Sequence, residues 1–204
     1  MTPGARRLTG RDGQTFTFDP GALCLELLVT GGFGPYVRYE LLHEPGDLGA
    51  WLTGSRLAGQ APLTADDVRV DDEELAAIKR FRRALWPVVE AIANDERPRT
   101  ADLRVLNEAT AAPAPRPVID LGTGELAWST PITGTEVLGA FARDAVELVS
   151  GPLRARIREC GGDNCRLLFV DTSRPGRRRW CSMERCGNRH KVRDYRARRA
   201  DSAG

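Results

Sequence analysis

The chain has 204 residues, of which 41% are hydrophobic and 28% charged, with a formal net charge of +2. This composition excludes a wholly disordered chain and is typical of a globular protein with one or two domains. No stretch approaches the roughly 18 uninterrupted apolar residues of a membrane span, and the first residues lack the apolar run of a secretory signal, so we expect a cytoplasmic protein that does not bind membranes.

The N-terminal third alternates between turn-forming and apolar segments. The first 15 or so residues, rich in Gly, Arg and Thr, are predicted to form a loose arm. The alternation over 16–18 indicates a short strand, and the composition of 22–30 favours a buried helix. Glycines and a proline predict a turn over 31–35. Apolar residues at helical spacing predict a helix over 45–57.

The rest of the first 150 residues is predicted to be mainly helical. Four acidic residues begin a predicted helix over 71–92, where they favour the positive end of the helix dipole, and Pro87 is expected to kink it. A short helix is predicted over 100–110, and two apolar runs around a Gly-Thr-Gly turn predict a β-hairpin over 117–129. An amphipathic pattern then predicts a helix over 135–150.

Charge divides the chain near the end of that last helix. Residues 154–199 contain 15 Arg and Lys but 5 Asp and Glu, whereas residues 1–153 contain 15 and 22. Such a division indicates a basic module for a polyanion beside a more acidic domain. We therefore predict two domains: 1–150, mainly α with a minor β-hairpin, and 151–204, a small basic module.

Four of the five cysteines lie in the basic module, at Cys160, Cys165, Cys181 and Cys186. In a reducing compartment, clustered cysteines indicate a metal site rather than disulfides. Two close pairs separated by fifteen residues suit a tetrahedral Zn²⁺ site, and four thiolates leave no open position, so we predict one structural zinc. The expected fold is a treble-clef-like or ribbon-plus-helix module stabilised largely by the metal. The alternative is that the cysteines are buried and free.

The residues after the last cysteine predict a basic helix. Arg189, Arg193 and Arg196 fall within a stripe of about 60°, which can follow a phosphate backbone or enter a major groove. Val192 and Tyr195 lie on a neighbouring face and are expected to pack on the zinc knuckle. The predicted DNA-binding residues are Arg177, Arg178, Arg179, Arg185, Arg189, Lys191, Arg193, Arg196, Arg198 and Arg199. The alternatives are a solvated basic face, docking onto the acidic domain, RNA, or a protein partner.

Three stretches of the basic module resemble the CGNR-type zinc-finger family. They are Phe-Val-Asp-Thr-Ser at 169–173, Arg-Arg-Trp-Cys-Ser-Met at 178–183, and the tetrapeptide Cys-Gly-Asn-Arg at 186–189 that gives the family its name. Residues 21–30 and 48–52 resemble the ABATE-type domain of stress-induced transcription regulators, which precedes this finger in such proteins. The resemblance implies zinc in the four cysteines and DNA binding in transcription control.

Taken together, these features predict a bacterial-type, zinc-dependent transcription regulator. Its finger would bind DNA at the nucleoid, while the N-terminal domain senses a small-molecule effector, forms a homodimer, or both. No catalytic residue is assigned and no enzymatic activity is expected, because His43 beside Glu44 lacks a recognisable nucleophile or carboxylate pair, and His190 is expected at the surface rather than on the metal. The alternatives are a finger that binds a protein partner, and an enzymatic or ligand-binding N-terminal domain that the finger tethers.

Overall fold

A computed structural model describes residues 2–10, 12–32 and 34–201 of the chain. About half of these residues are helical, and the strands form small pairs rather than one sheet. The α-helices are α1 (Leu23–Leu27), α2 (Pro45–Leu52), α3 (Arg56–Gln60), α4 (Asp72–Ala93), α5 (Thr100–Ala109), α6 (Gly134–Ser150) and α7 (Asn188–Asp201). The predicted fold class, mainly helical with small strand pairs and a C-terminal cysteine module, is confirmed.

Helix α4 is the centre of the N-terminal core and packs against α5 and α6. It begins with a reciprocal cap in which the Glu74 backbone N–H donates to Asp71 at 2.8 Å, and it continues without interruption through Pro87. The apolar residues of α4 recur at helical spacing, so they share one face of the helix, and that face is buried. Helix α6 begins with the same kind of cap at Thr133. Both long helices occur where apolar periodicity predicts them, and α4 also begins at the predicted acidic residues.

In the described part of the chain, eight short strands form four pairs. They are β1 (Arg6–Thr9) with β2 (Thr15–Phe18), β3 (Val68–Arg69) with β6 (Ile132–Thr133), β4 (Pro117–Ile119) with β5 (Leu126–Trp128), and β7 (Ile157–Glu159) with β8 (Leu168–Val170). Among these pairs, only β3 and β6 run parallel. The antiparallel pairing of β4 with β5 confirms the predicted hairpin over 117–129, which is one of three antiparallel pairs.

Two predicted segments differ in the structure. The loose arm over the first 15 residues is wrong, because β1 pairs with β2 along its whole length and Arg6 donates to the Trp51 carbonyl at 3.0 Å. The single helix over 45–57 is two helices, since the Ser55 side chain accepts hydrogen bonds from the first turn of α3 and so starts a new helix. The predicted turn over 31–35 includes Phe33, which lies outside the described residues.

The C-terminal strands share a core with the N-terminal helices. Ile157, Leu168 and Val170 are buried in the same apolar cluster as the faces of α4 and α6. The division of the chain into two domains at residue 150 stays a prediction. The last residues of the predicted C-terminal module, 202–204, lie outside the described part of the chain. None of the described helices is long and apolar enough to cross a membrane.

Candidate metal centre and basic surface

The four clustered cysteines converge on one point. Their sulfur atoms all lie within 4.8 Å of one another, and the Sγ of Cys181 is 3.6 Å from those of both Cys165 and Cys186. A tetrahedral zinc ion with Zn–S bonds of about 2.3 Å places its sulfurs about 3.8 Å apart. The spacing of these sulfurs therefore fits one zinc ion.

Two tight turns carry the cysteine pairs. The first joins β7 to β8, where the Cys160 backbone N–H donates to the Leu167 carbonyl at 2.9 Å. It needs a glycine at Gly162, because a side-chain carbon there would lie 3.0 Å from the Cys186 sulfur. The second is a π-helical turn over Met183–Gly187, which contains Cys186, follows Cys181 closely and leads directly into α7. The metal site thus anchors the start of the basic helix.

Four sulfurs this close together repel one another when ionised, so four thiolates require a cation among them. Hydrogen bonds with Cys165 and Cys181 lower the pKa of Cys160. The hydrogen bond with Cys160 raises the pKa of Cys165 to about 12, and hydrogen bonds with Cys160 and Cys165 raise that of Cys181. Four thiolates can therefore coexist only around a positive ion, and an all-cysteine set with no further donor among the described residues suits a closed, structural zinc site.

Aromatic side chains from both ends of the chain surround the cysteines. Phe169 of β8 and Phe16 and Phe18 of β2 are buried in one cluster with them. Guanidinium groups stack on two of these rings, with Arg178 4.2 Å from Phe169 and Arg185 4.9 Å from Phe16. The β1–β2 hairpin thus supplies apolar side chains to the core of the finger, which has few of its own.

Two of the ten arginine and lysine residues predicted to bind DNA are not exposed, and their guanidinium groups contact the finger and the hairpin. Arg178 is half-buried and donates to the carbonyls of Trp180 at 3.0 Å and of Cys181 at 2.6 Å. Arg185 is 6% exposed and lies against Asp12 and Phe16. Because their guanidinium groups hold the finger together, we leave these two out of the proposed nucleic-acid surface.

The remaining eight basic residues are exposed, and three of them line one groove. Arg189, Arg193 and Arg196 border a concavity of about 470 Å³, which we call the α7 groove. Gln14 of β1–β2 and Asn188 lie on the same groove. The helical stripe predicted from spacing is therefore present. Arg189 contacts Asp12 and Arg193 contacts Asp163, so two of the three guanidinium groups face carboxylates of this chain.

A second groove of about 480 Å³ lies beside the first cysteine turn, and we call it the loop groove. Its lining includes Arg158, Arg177 and Arg179. The loop that carries the last two is held by Asp171, whose carboxylate accepts hydrogen bonds from the Ser173 hydroxyl at 2.6 Å and the Arg178 backbone N–H at 2.8 Å. These bonds outweigh the effect of burial, so the pKa of Asp171 lies below its ordinary value.

One valine and one tyrosine of α7 are exposed, although the sequence predicts that they are buried on the zinc knuckle. Val192 and Tyr195 are 48% and 56% exposed, so the expectation that they pack on the zinc knuckle is wrong. The hairpin phenylalanines occupy that core instead. His190 lies outside the group of candidate metal ligands: its ring is 4.7 Å from that of Trp180 and its Nε2 is 3.1 Å from Asp194.

The site also includes residues that the sequence analysis missed. Asp12, Gln14 and Phe16 all come from the β1–β2 hairpin, far from the cysteines along the chain. The alternation of Thr and Phe over 15–18 is a signal for a strand with one buried face. No local pattern could have indicated that this face covers the metal centre.

Comparison with known proteins divides the chain into two matched regions. The ABATE family, described as "Putative stress-induced transcription regulator", matches residues 21–152. The CGNR zinc finger matches residues 156–199, which include all four clustered cysteines. No curated protein matches the chain in a sequence comparison. The β1–β2 hairpin lies before both matched regions.

Proposed function

Because this chain belongs to the ABATE family and carries a C-terminal CGNR zinc finger, we propose that it regulates transcription by binding DNA through the α7 groove. In this proposal the zinc ion is structural and fixes the start of α7, and the exposed arginines of the helix contact phosphates. The loop groove supplies further contacts through Arg177 and Arg179. Cytoplasmic location, at the nucleoid when DNA is bound, follows from this role.

One observation carries the proposal: Arg189, Arg193 and Arg196 line a single groove on a helix that begins at the metal centre. Guanidinium groups bind phosphate oxygens with charge-assisted hydrogen bonds, and a helix anchored at one end keeps them in register. The local excess of ten positive charges over 154–199 would draw a polyanion to this part of the molecule.

We further propose that the N-terminal helices receive the regulatory signal, either by binding a small-molecule effector or by forming a homodimer. The support is the arrangement of the chain, in which the ABATE region precedes the finger and shares a core with its strands. The proposal assigns no catalytic residue and no enzymatic activity. An effector is tested by the shift in melting temperature that a bound ligand produces, and a dimer by sedimentation of the full chain.

DNA binding by the zinc-loaded chain across a salt series tests the proposal. We expect the logarithm of the affinity to fall linearly with the logarithm of salt concentration. The triple variant R189Q/R193Q/R196Q should bind more weakly, with a slope smaller by roughly 3, since three phosphate contacts are lost. The matched control is R80Q/R83Q/R104Q, which removes three exposed charges from α4 and α5.

The outcomes separate the candidate functions. Weakened binding in the groove variant but not in the control supports DNA binding through α7. Equal loss in both variants would mean that overall charge alone governs binding. A zinc-loaded chain that fails to bind DNA even at low salt would favour a protein-binding finger, a second candidate because Met183, Val192 and Tyr195 are exposed on it.

A further inference from the structure

The turn of the β1–β2 hairpin lies against the beginning of the basic helix. The Asp12 carboxylate contacts the Arg189 guanidinium and is 3.5 Å from that of Arg185. The Gln14 side-chain amide donates to the Glu184 carbonyl at 3.2 Å, which ties the same turn to the residues before α7. The hairpin therefore places a negative charge against Arg185 and Arg189, two of the residues that line the α7 groove.

The two arginines beside Asp12 differ in whether a phosphate can replace the Asp12 carboxylate as their partner. The Arg185 side chain is 7% exposed and is held over Phe16, so its guanidinium stays in place. The Arg189 side chain is 47% exposed and that of Asp12 is 32% exposed. An ion pair this open to water is weak, because solvent screens it and each partner has an alternative in water. A phosphate can therefore replace the carboxylate at Arg189.

We propose that Asp12 is a built-in competitor for the nucleic-acid site: its carboxylate occupies the place at Arg189 that a DNA phosphate takes in the bound state. This inference rests on the proposed function and adds a means of regulating it. DNA must displace the turn to use Arg189 fully, and any change that lifts the turn strengthens binding without altering the helix.

The other end of the hairpin is fixed to the N-terminal region. Arg6 of β1 donates to the Trp51 carbonyl, stacks 4.3 Å from the Trp51 ring and lies 3.7 Å from the buried carboxylate of Glu26. Glu26 and Trp51 belong to the region that matches the ABATE family. The hairpin therefore physically joins that region to the α7 groove, and a rearrangement around Trp51 would reach Asp12 through two paired strands.

The closing experiment compares the salt-dependent DNA affinity of the zinc-loaded wild-type chain with that of Asp12→Asn. Asparagine keeps the size and one acceptor oxygen but removes the charge. We expect binding about fivefold tighter at low salt and a salt slope steeper by about one, because one more phosphate is neutralised. The matched control is Glu108→Gln, which removes one exposed negative charge from α5.

Two further variants test the route. In a background of Arg189→Gln, the Asp12→Asn change should give no gain, since the arginine for which phosphate and carboxylate compete is absent. Gln14→Ala leaves Asp12 unchanged but removes the hydrogen bond to Glu184, so it should tighten binding in the same direction by loosening the turn. Zinc content and melting temperature, measured on each variant, establish that the finger is intact.

The results distinguish this inference from the proposed function. DNA binding by the wild type, with tighter binding by Asp12→Asn but not by Glu108→Gln, supports both. DNA binding by the wild type with identical affinities for Asp12→Asn and Glu108→Gln would overturn the competitor and leave the DNA-binding role in place. Failure of the wild type and of Asp12→Asn to bind at low salt would overturn both.

Discussion

The five cysteines lie in two different environments, and the difference determines which of them bind metal. Cys24 is fully buried among apolar side chains of α1 and α6, where burial and the neighbouring Asp144 carboxylate raise the pKa of its thiol well above the ordinary value. It therefore stays protonated and behaves as a small apolar residue. The other four share one centre, in which a single positive ion must compensate the charge of all the thiolates.

Replacing Cys181 by serine should therefore abolish stoichiometric zinc binding. Its sulfur is close to those of two other ligands, so its loss leaves an incomplete set and removes metal-binding free energy that stabilises the fold. We expect zinc content well below one ion per chain and a lower melting temperature. Cys24→Ala is the control and should keep its zinc. Retention of zinc by Cys181→Ser would contradict the four-cysteine centre.

A buried ion pair gives the N-terminal region a dependence on pH. Burial alone would raise the pKa of Glu40, but hydrogen bonds and charge from Arg82 outweigh it, so the pKa lies below its ordinary value. A carboxyl group with a lowered pKa stabilises the fold above its unfolded pKa, and this stability is lost as pH falls through the folded pKa.

Replacing Arg82 by methionine should cost about 3 kcal/mol at pH 7, because it leaves the Glu40 carboxylate without its partner. The difference in unfolding free energy between wild type and variant should shrink as pH falls from 7 towards 3. Urea unfolding at several pH values measures it, and the difference is informative because acid releases zinc from both proteins alike. A difference that is independent of pH would show that Arg82 acts through packing and not through charge.

Among the elements, the β1–β2 hairpin has the widest influence. Alternate side chains of β2, Phe16 and Phe18, are buried against the cysteines, while the turn before them reaches α7. A two-stranded hairpin is only marginally stable alone in water, so the hairpin needs the finger to bury its phenylalanines. The finger in turn needs these phenylalanines to complete its core.

Phe18→Ala should destabilise the metal centre as well as the hairpin. Phe18 is fully buried, and removing a buried phenylalanine ring costs about 3 to 4 kcal/mol. We expect faster transfer of zinc to a chromogenic chelator and a lower urea midpoint, while Leu121→Ala, a change at a fully exposed residue in the turn between β4 and β5, should alter neither. Zinc transfer at the wild-type rate from Phe18→Ala would mean that the hairpin supports only the helices.

The accuracy of the sequence-based predictions depends on how local each feature is. Helices α4 and α6 could be predicted because their caps and apolar periodicity lie within the segments themselves, and the cysteine cluster because two short turns determine it. The hairpin's place could not be predicted, since Gln14 and Glu184 are 170 residues apart. The error at Val192 and Tyr195 has the same origin, because distant phenylalanines fill the core those side chains were expected to complete.

At the scale of the whole molecule, the apolar core is continuous across the predicted domain division. Ile157 and Leu168 of the finger strands are buried with the N-terminal helices, and Glu159 accepts a hydrogen bond from Asn94, just after α4, at 3.2 Å. Elements that share one core lose their packing together, so the finger and the helices should unfold together.

Calorimetry of the zinc-loaded chain should therefore show one cooperative transition. Removing zinc with a chelator should lower the melting temperature of the whole chain. Far-ultraviolet circular dichroism measures this temperature, because its signal comes mainly from the helices of the N-terminal region. Two separate transitions, of which only the smaller responds to the chelator, would contradict a shared core and would support two independent domains.

The long sequence separation between the hairpin phenylalanines and the cysteines also affects how the protein is made. Phe18 leaves the ribosome about 140 residues before Cys160, which at about 5 to 20 residues per second is roughly 7 to 30 s earlier. During that interval the ribosome-bound chain exposes an apolar strand whose burial partners do not yet exist. The metal site is complete only after Cys186 emerges, so the phenylalanines gain the cysteines as burial partners at the end of that interval.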